Sequence, residues 1–184
     1  SATLTQPAEI TGAIVATDAT CFGSATGTID VTVTGGAGNF TYLWNTGDTT
    51  QDLSNVAAGI YSVTATDANG CFITLVDTIG QPQAMTDTTA ITAISCYGDS
   101  TGILAVSMYG GTAPYSYAWN TGDSVSTISG LSAGTYSLVV TDAQGCTYSQ
   151  SFTVSQPVAP LAGSTNATQP LCFGDSTGVL TVAV

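Results

Sequence analysis

The chain contains no lysine, no arginine and no histidine. Against that absence stand twelve acidic residues, eleven Asp and Glu9, for a net charge of −12. Nothing in the sequence can neutralise a phosphate, so nucleic acid and acidic lipid headgroups are poor partners. Salt bridges between side chains cannot form, and lysine chemistries (Schiff bases, isopeptide cross-links, the P-loop lysine) have no residue to use. The lack of His removes the commonest general base, and the lack of Lys and Arg removes the usual electrophilic clamps. Ser and Thr are abundant but have no base to activate them. The Asp residues fall mostly in turn-like sequence, where Asp bonds its own backbone. The expectation is that the protein is not an enzyme. No apolar run approaches the roughly 18–20 residues of a membrane span, so no membrane insertion is expected. No signal-peptide pattern opens at Ser1; the signal of an exported protein would lie upstream.

What is present is 43% hydrophobic residues, enough to argue against disorder despite the charge. Thr, Ser, Gly, Ala and Val dominate, and helix-favouring Glu, Lys and Arg are nearly absent. That composition reads as all-β.

The strongest signal is self-similarity. Gln-Pro recurs at Gln6-Pro7, Gln81-Pro82 and Gln156-Pro157, a spacing of 75. WNTGD stands at Trp44–Asp48 and Trp119–Asp123, AG-x-YS at Ala58–Ser62 and Ala133–Ser137, and TDA-x-GC at Thr66–Cys71 and Thr141–Cys146. C-[FY]-G-x-x-TG begins at Cys21, Cys96 and, with one residue inserted, Cys172. The register predicts four parts: 1–7, the last strand of a preceding repeat; 8–81, repeat one; 82–156, repeat two; and 157–184, the opening strands of a third. The segment is expected to come from a longer array.

Inside a copy the apolar period is 2. Ile29, Val31 and Val33 share one strand face, as do Phe40, Tyr42 and Trp44, and Tyr61, Val63 and Ala65. Copy two repeats the pattern with Leu104, Val106 and Met108, with Tyr115, Tyr117 and Trp119, and with Tyr136, Leu138 and Val140. Turn signals such as Gly35-Gly36 and Asn69-Gly70 separate the runs. The expected fold is all-β: tandem small Ig-like β-sandwich repeats of about 75 residues in a rod. The Trp and Tyr rows are expected in the core, with a ligand-stacking platform as the alternative.

Five cysteines in such a chain point to an oxidising, extracellular setting. Repeat symmetry leaves two pairings. One is within each copy, Cys21–Cys71 and Cys96–Cys146, with Cys172 unpaired in this segment. The other crosses the junction, Cys71–Cys96 and Cys146–Cys172. The first is expected, because it makes each module self-sufficient. A bridge closing a loop of about 50 residues adds roughly 3–4 kcal/mol to a modest core.

The ordered motifs from Cys21 to Pro82 and from Cys96 to Pro157 resemble the SprB-type repeat of Bacteroidetes cell-surface proteins. Copy one departs from the pattern with GAGNFTY where copy two has GTAPYSY, and with SATG where the others have DSTG; both are turn variants. The resemblance implies an exported protein using type IX secretion, related to filamentous adhesins that attach to surfaces and move in gliding. Its partners would be neighbouring repeats of the same chain, a polysaccharide or other surface ligand, and covalent glycans.

Six Asp residues are followed by Ser or Thr and then Thr, Ile or Val. The form resembles the O-glycosylation sequon of exported Bacteroidetes proteins, with acceptors Thr49, Thr78, Thr88, Ser100, Ser124 and Ser176. Ordinary turn chemistry is the competing explanation. No cofactor is expected. Asp99, Asp123 and Asp142 are weak Ca²⁺ candidates, since hard cations take carboxylate oxygens, but no D-x-D-x-D-G loop occurs. Three functions follow. The first is a structural stalk or filament body. The second is a carbohydrate-binding array using exposed Tyr97, Tyr109, Asn45 or Asn120. The third is a self-assembling filament subunit.

Overall fold

The computed structural model describes residues 6–169, 173, 176 and 178–183. All regular structure among them is β. Copy one supplies β1 (Thr11–Thr17), β2 (Gly27–Thr34), β3 (Thr41–Trp44), β4 (Leu53–Val56), β5 (Gly59–Thr66) and β6 (Phe72–Ile79). They form two three-stranded sheets, ordered β1-β2-β4 and β3-β5-β6, and the pairings are antiparallel. Copy two supplies β7 (Thr86–Thr92), β8 (Gly102–Tyr109), β9 (Ser116–Trp119), β10 (Thr127–Leu131), β11 (Gly134–Thr141) and β12 (Thr147–Val154). Their sheets repeat the topology as β7-β8-β10 and β9-β11-β12. A hairpin of β13 (Ser164–Thr168) and β14 (Val179–Ala183) follows.

The period-2 pattern sets the register. In β2, Ile29 and Val31 point inward and are fully buried, while Thr28, Asp30 and Thr32 face solvent. In β5, Tyr61, Val63 and Ala65 do the same. A one-residue slip would turn every one of these side chains outward, at a cost of about 1.5–3 kcal/mol for each large apolar group exposed.

By compactness the chain divides into two units. Unit one comprises Ser1–Asp87, Met108–Ser116 and Val140–Tyr148. Its core is Ala19, Ile29, Val31, Trp44, Leu53, Tyr61, Val63 and Ile79, drawn from both sheets of copy one. Strand β1 lies against β6, and the Ala16 N–H donates to Asp77 Oδ2 at 3.0 Å. Unit two comprises Thr88–Ser107, Tyr117–Val139 and Ser149–Val184. It buries Ile94, Leu104, Val106, Trp119, Ile128, Leu131, Leu138, Phe152 and Val154. The Trp119 and Phe152 rings are tilted against each other at 5.9 Å between centroids.

The structure corrects the expected disulfides. Cys21 is bonded to Cys146, 125 residues away, with the two Cα atoms 5.7 Å apart. Cys71 and Cys96 are free and exposed. This overturns both Cys21–Cys71 and Cys96–Cys146, and equally the alternative Cys71–Cys96. The reason is the placement of the two motifs on the sandwich. Cys71 closes the β5–β6 turn, where Thr66 pairs with Phe72. Cys21 lies by the other end of β6. There Ala19 N–H donates to the Gly80 carbonyl at 3.0 Å, and Gly23 N–H donates to Gln81 Oε1 at 2.7 Å. Eight residues of β6 separate the two sites, about 26 Å at roughly 3.3 Å per residue, far beyond the ~7 Å a disulfide spans. The Cys146 turn instead belongs to unit one, where Gly111 N–H donates to the Gln83 carbonyl at 2.8 Å. Cys172 lies outside the described residues.

Candidate functional site

The T-D-A-x-G-C motif builds the same small polar device twice. Asp67 is buried at 6% exposure in a chain with no cation to pair with. Its Oδ1 accepts the N–H groups of Asn69 and Cys71, each at 2.9 Å, which closes the β5–β6 turn. Its Oδ2 reaches across to the Ala37 N–H at 2.9 Å, tying that turn to the Gly35-Gly36 turn after β2. Asp142, also 6% exposed, repeats this with Gln144, Cys146 and Thr112, all at 2.9 Å. Glycine is required at the facing turn. Gly36 and Gly111 have φ of 58° and 60°, and a Cβ on either would stand 2.8 Å from the Asp Oδ2.

The electrostatics follow from these bonds. The N–H of Ala37 lowers the Asp67 pKa below the usual carboxylate range; burial opposes it, and the N–H groups of Cys71, Asn69 and Gly70 reinforce it. At Asp142 burial pushes upward most strongly, but the N–H groups of Thr112, Cys146, Gln144 and Gly145 together outweigh it and the pKa is again lowered. Peptide dipoles thus stand in for the missing cations.

The other polar residues shared by the copies are used the same way. The Trp44 indole N–H donates to the Thr50 carbonyl at 2.8 Å, and that of Trp119 to Val125 at 2.9 Å. Both rings are buried, and Tyr42 and Tyr117 are half-buried. The hydroxyls of Tyr61 and Tyr136 donate to the carbonyls of Ala57 and Ser132, four residues back, each at 2.9 Å, a tie of the kind found at the tyrosine corner of Ig-like sandwiches. Asn45 accepts from Ser62 N–H at 3.2 Å and donates to the Ile60 carbonyl at 3.1 Å. Asn120 accepts from Ser137 N–H at 3.1 Å. These amides, which the sequence offered as sugar-binding groups, brace the start of β5 and β11.

The remaining sequence candidates lie apart. Asp99 sits in the turn after Cys96, Asp123 accepts from Thr121 Oγ1 at 2.7 Å, and Asp142 is committed to its turn. Among the described residues no three His, Cys, Asp or Glu side chains are grouped so as to hold a metal ion. Thr49, Thr78, Thr88, Ser100, Ser124 and Ser176 are all exposed; Ser100 Oγ is 2.8 Å from Ser132 Oγ. Tyr97 and Tyr109 are exposed, at 49% and 56%. Among the described residues no helix is long and apolar enough to cross a membrane. The role of Asp67 and Asp142 as turn clamps was missed from the sequence. The available signal was the fixed pairing of D-A-x-G-C with an upstream Gly-Gly turn in each copy.

No curated protein matches the chain. The family model of the SprB repeat matches residues 13–49 and again residues 88–124, 75 positions on. Each match runs from β1 or β7 to the WNTGD turn and so covers the C-[FY]-G turn, the buried strand β2 or β8 and the buried Trp. SprB repeats occur in cell-surface proteins. Residues 13–49 and 88–124 are each similar to the SprB repeat, in the same register in both copies.

Proposed function

We propose that the chain is a structural segment of an extracellular, filamentous surface adhesin, serving as stalk or filament body in surface attachment or gliding. One observation carries this reading: the Trp, Tyr, Asn and Asp side chains that recur in the WNTGD, AG-x-YS and TDA-x-GC motifs are spent inside the module. The Trp indoles, the Tyr61 and Tyr136 hydroxyls, the Asn45 and Asn120 amides and both clamp carboxylates all bond nearby backbone. What repeats in these motifs is folding machinery, while the C-[FY]-G aromatic, Phe22 and Tyr97, stays exposed. Surface charge of one sign keeps neighbouring copies soluble and apart. The exposed Ser and Thr acceptors support glycan decoration of this surface; intact mass of material from the native host reads it directly, and a mass equal to the bare polypeptide removes it.

The test is a glycan array probed with the folded chain. The stalk reading expects no glycan retained above background. A glycan that binds, and is lost on Tyr97→Ala or Tyr109→Ala, would establish the carbohydrate-binding reading instead.

A further inference from the structure

The four described cysteines form two classes with matching surroundings. Cys21 and Cys96 follow equivalent anchors: Ala19 N–H to the Gly80 carbonyl at 3.0 Å and Ile94 N–H to the Ser155 carbonyl at 2.9 Å. The glycines two residues after each cysteine, Gly23 and Gly98, donate to the side chains of Gln81 and Gln156 at 2.7 and 2.9 Å. Cys71 and Cys146 both close an Asp-clamped turn, with N–H to carboxylate distances of 2.9 Å. One member of each class forms the Cys21–Cys146 bond, and the other member of each class is free and exposed.

The surface beside the free Cys71 matches the one that receives Cys21. The cleft at Cys146, of about 450 Å³, is lined by Pro82, Met85, Gly111 and Asp142, and its far wall is Cys21 and Phe22. The cleft at Cys71, of about 410 Å³, is lined by the positional equivalents Pro7, Ile10, Gly36 and Asp67. The Cys21–Phe22 wall is what it lacks. Cys96 and Tyr97, the equivalents of that wall, line a separate concavity with Pro157 and Leu161.

We infer that Cys21–Cys146 is one rung of a ladder joining each repeat to the next. Cys96 forms the same bond with the D-A-x-G-C cysteine of a following repeat, and Cys71 with the C-[FY]-G cysteine of a preceding one. This rests on the reading of the chain as part of a repeat array. Each rung forms by oxidation of two thiols. Their two protons and two electrons pass to a disulfide-bearing oxidant, whose S–S bond breaks to give a dithiol as the new S–S bond forms.

The ladder is tested by disulfide mapping without reduction, using Asp-directed and aromatic-directed proteases because trypsin finds no site. In the 184-residue chain, a Cys21–Cys146 linked peptide is expected, with Cys71 and Cys96 both alkylated by iodoacetamide. In the array protein secreted by its host, neither should be alkylated, and each should appear linked to the opposite motif of an adjacent repeat. A Cys21–Cys71 peptide in the chain, or Cys71 and Cys96 still alkylated in the array, overturns the ladder and leaves the stalk reading standing. A host protein carrying no further copies overturns both.

Discussion

Stretching the oxidised chain by its two ends should release only about a third of its length. The Cys21–Cys146 bond takes 125 of the 184 residues out of the load path and leaves 59. At roughly 3.3–3.6 Å per extended residue, the oxidised chain stops near 200 Å and the reduced chain near 610–660 Å. Bonds within each copy would shelter two loops of 50 residues, leave 84, and stop at about 280–300 Å. Single-molecule force spectroscopy with and without reductant separates these cases, since the smallest difference is about 80 Å. An oxidised extension near 290 Å, or one equal to the reduced extension, would refute the connectivity. In the loop-entropy model, a closed loop of 125 residues also contributes about 5 kcal/mol against unfolding, so reduction should lower the denaturant midpoint without changing the fold.

Trp44→Ala and Trp119→Ala should each cost about 3–5 kcal/mol in denaturant titrations, because each removes a buried ring and leaves a carbonyl without its indole donor; Tyr97→Ala should stay within about 0.5 kcal/mol. The clamp carboxylates have lowered folded pKa values, so their contribution is complete above the ordinary carboxylate value of about 3.9 and is lost as pH falls through the folded value. The gap in thermal midpoint between the wild type and Asp67→Asn should therefore be constant from neutral pH to about pH 5 and shrink in acid; a gap that widens in acid contradicts the clamp. With no side-chain cation, long-range charge interactions are almost purely repulsive, so raising the ionic strength from about 10 mM to 150 mM, which shortens the Debye length from roughly 30 to 8 Å, should raise the melting temperature. A fall over that range would contradict the charge argument.

The strands and their buried faces were legible in the sequence because period-2 patterning acts locally: Ile29, Val31, Val63 and their counterparts are inside, as the alternation requires. The Trp rows were legible for the same reason. The cysteine pairing was not, because it depends on which end of a sandwich each motif occupies. Repeat symmetry limits the pairs but does not measure the length of β6. A bond that skips both Cys71 and Cys96 belongs neither to one copy nor to neighbouring motifs across a junction, the two arrangements that local symmetry suggests. The turn setting of Asp142 was legible, since Asp in such sequence bonds its own backbone; the bond to Thr112 N–H, thirty residues away, was not. The bracing role of Asn45 and Asn120 was not legible either, because residue type alone does not show which backbone groups a surface amide bonds.

The span of the Cys21–Cys146 bond also bears on damage. A protease that nicks the backbone anywhere from Phe22 to Gly145 leaves the two pieces joined through sulfur. Several cuts in that interval can strip out the interior of both copies and still leave residues before Cys21 attached to residues after Cys146. Severing the chain there takes a cut and a reductant together, so mechanical continuity does not depend on the integrity of either sandwich.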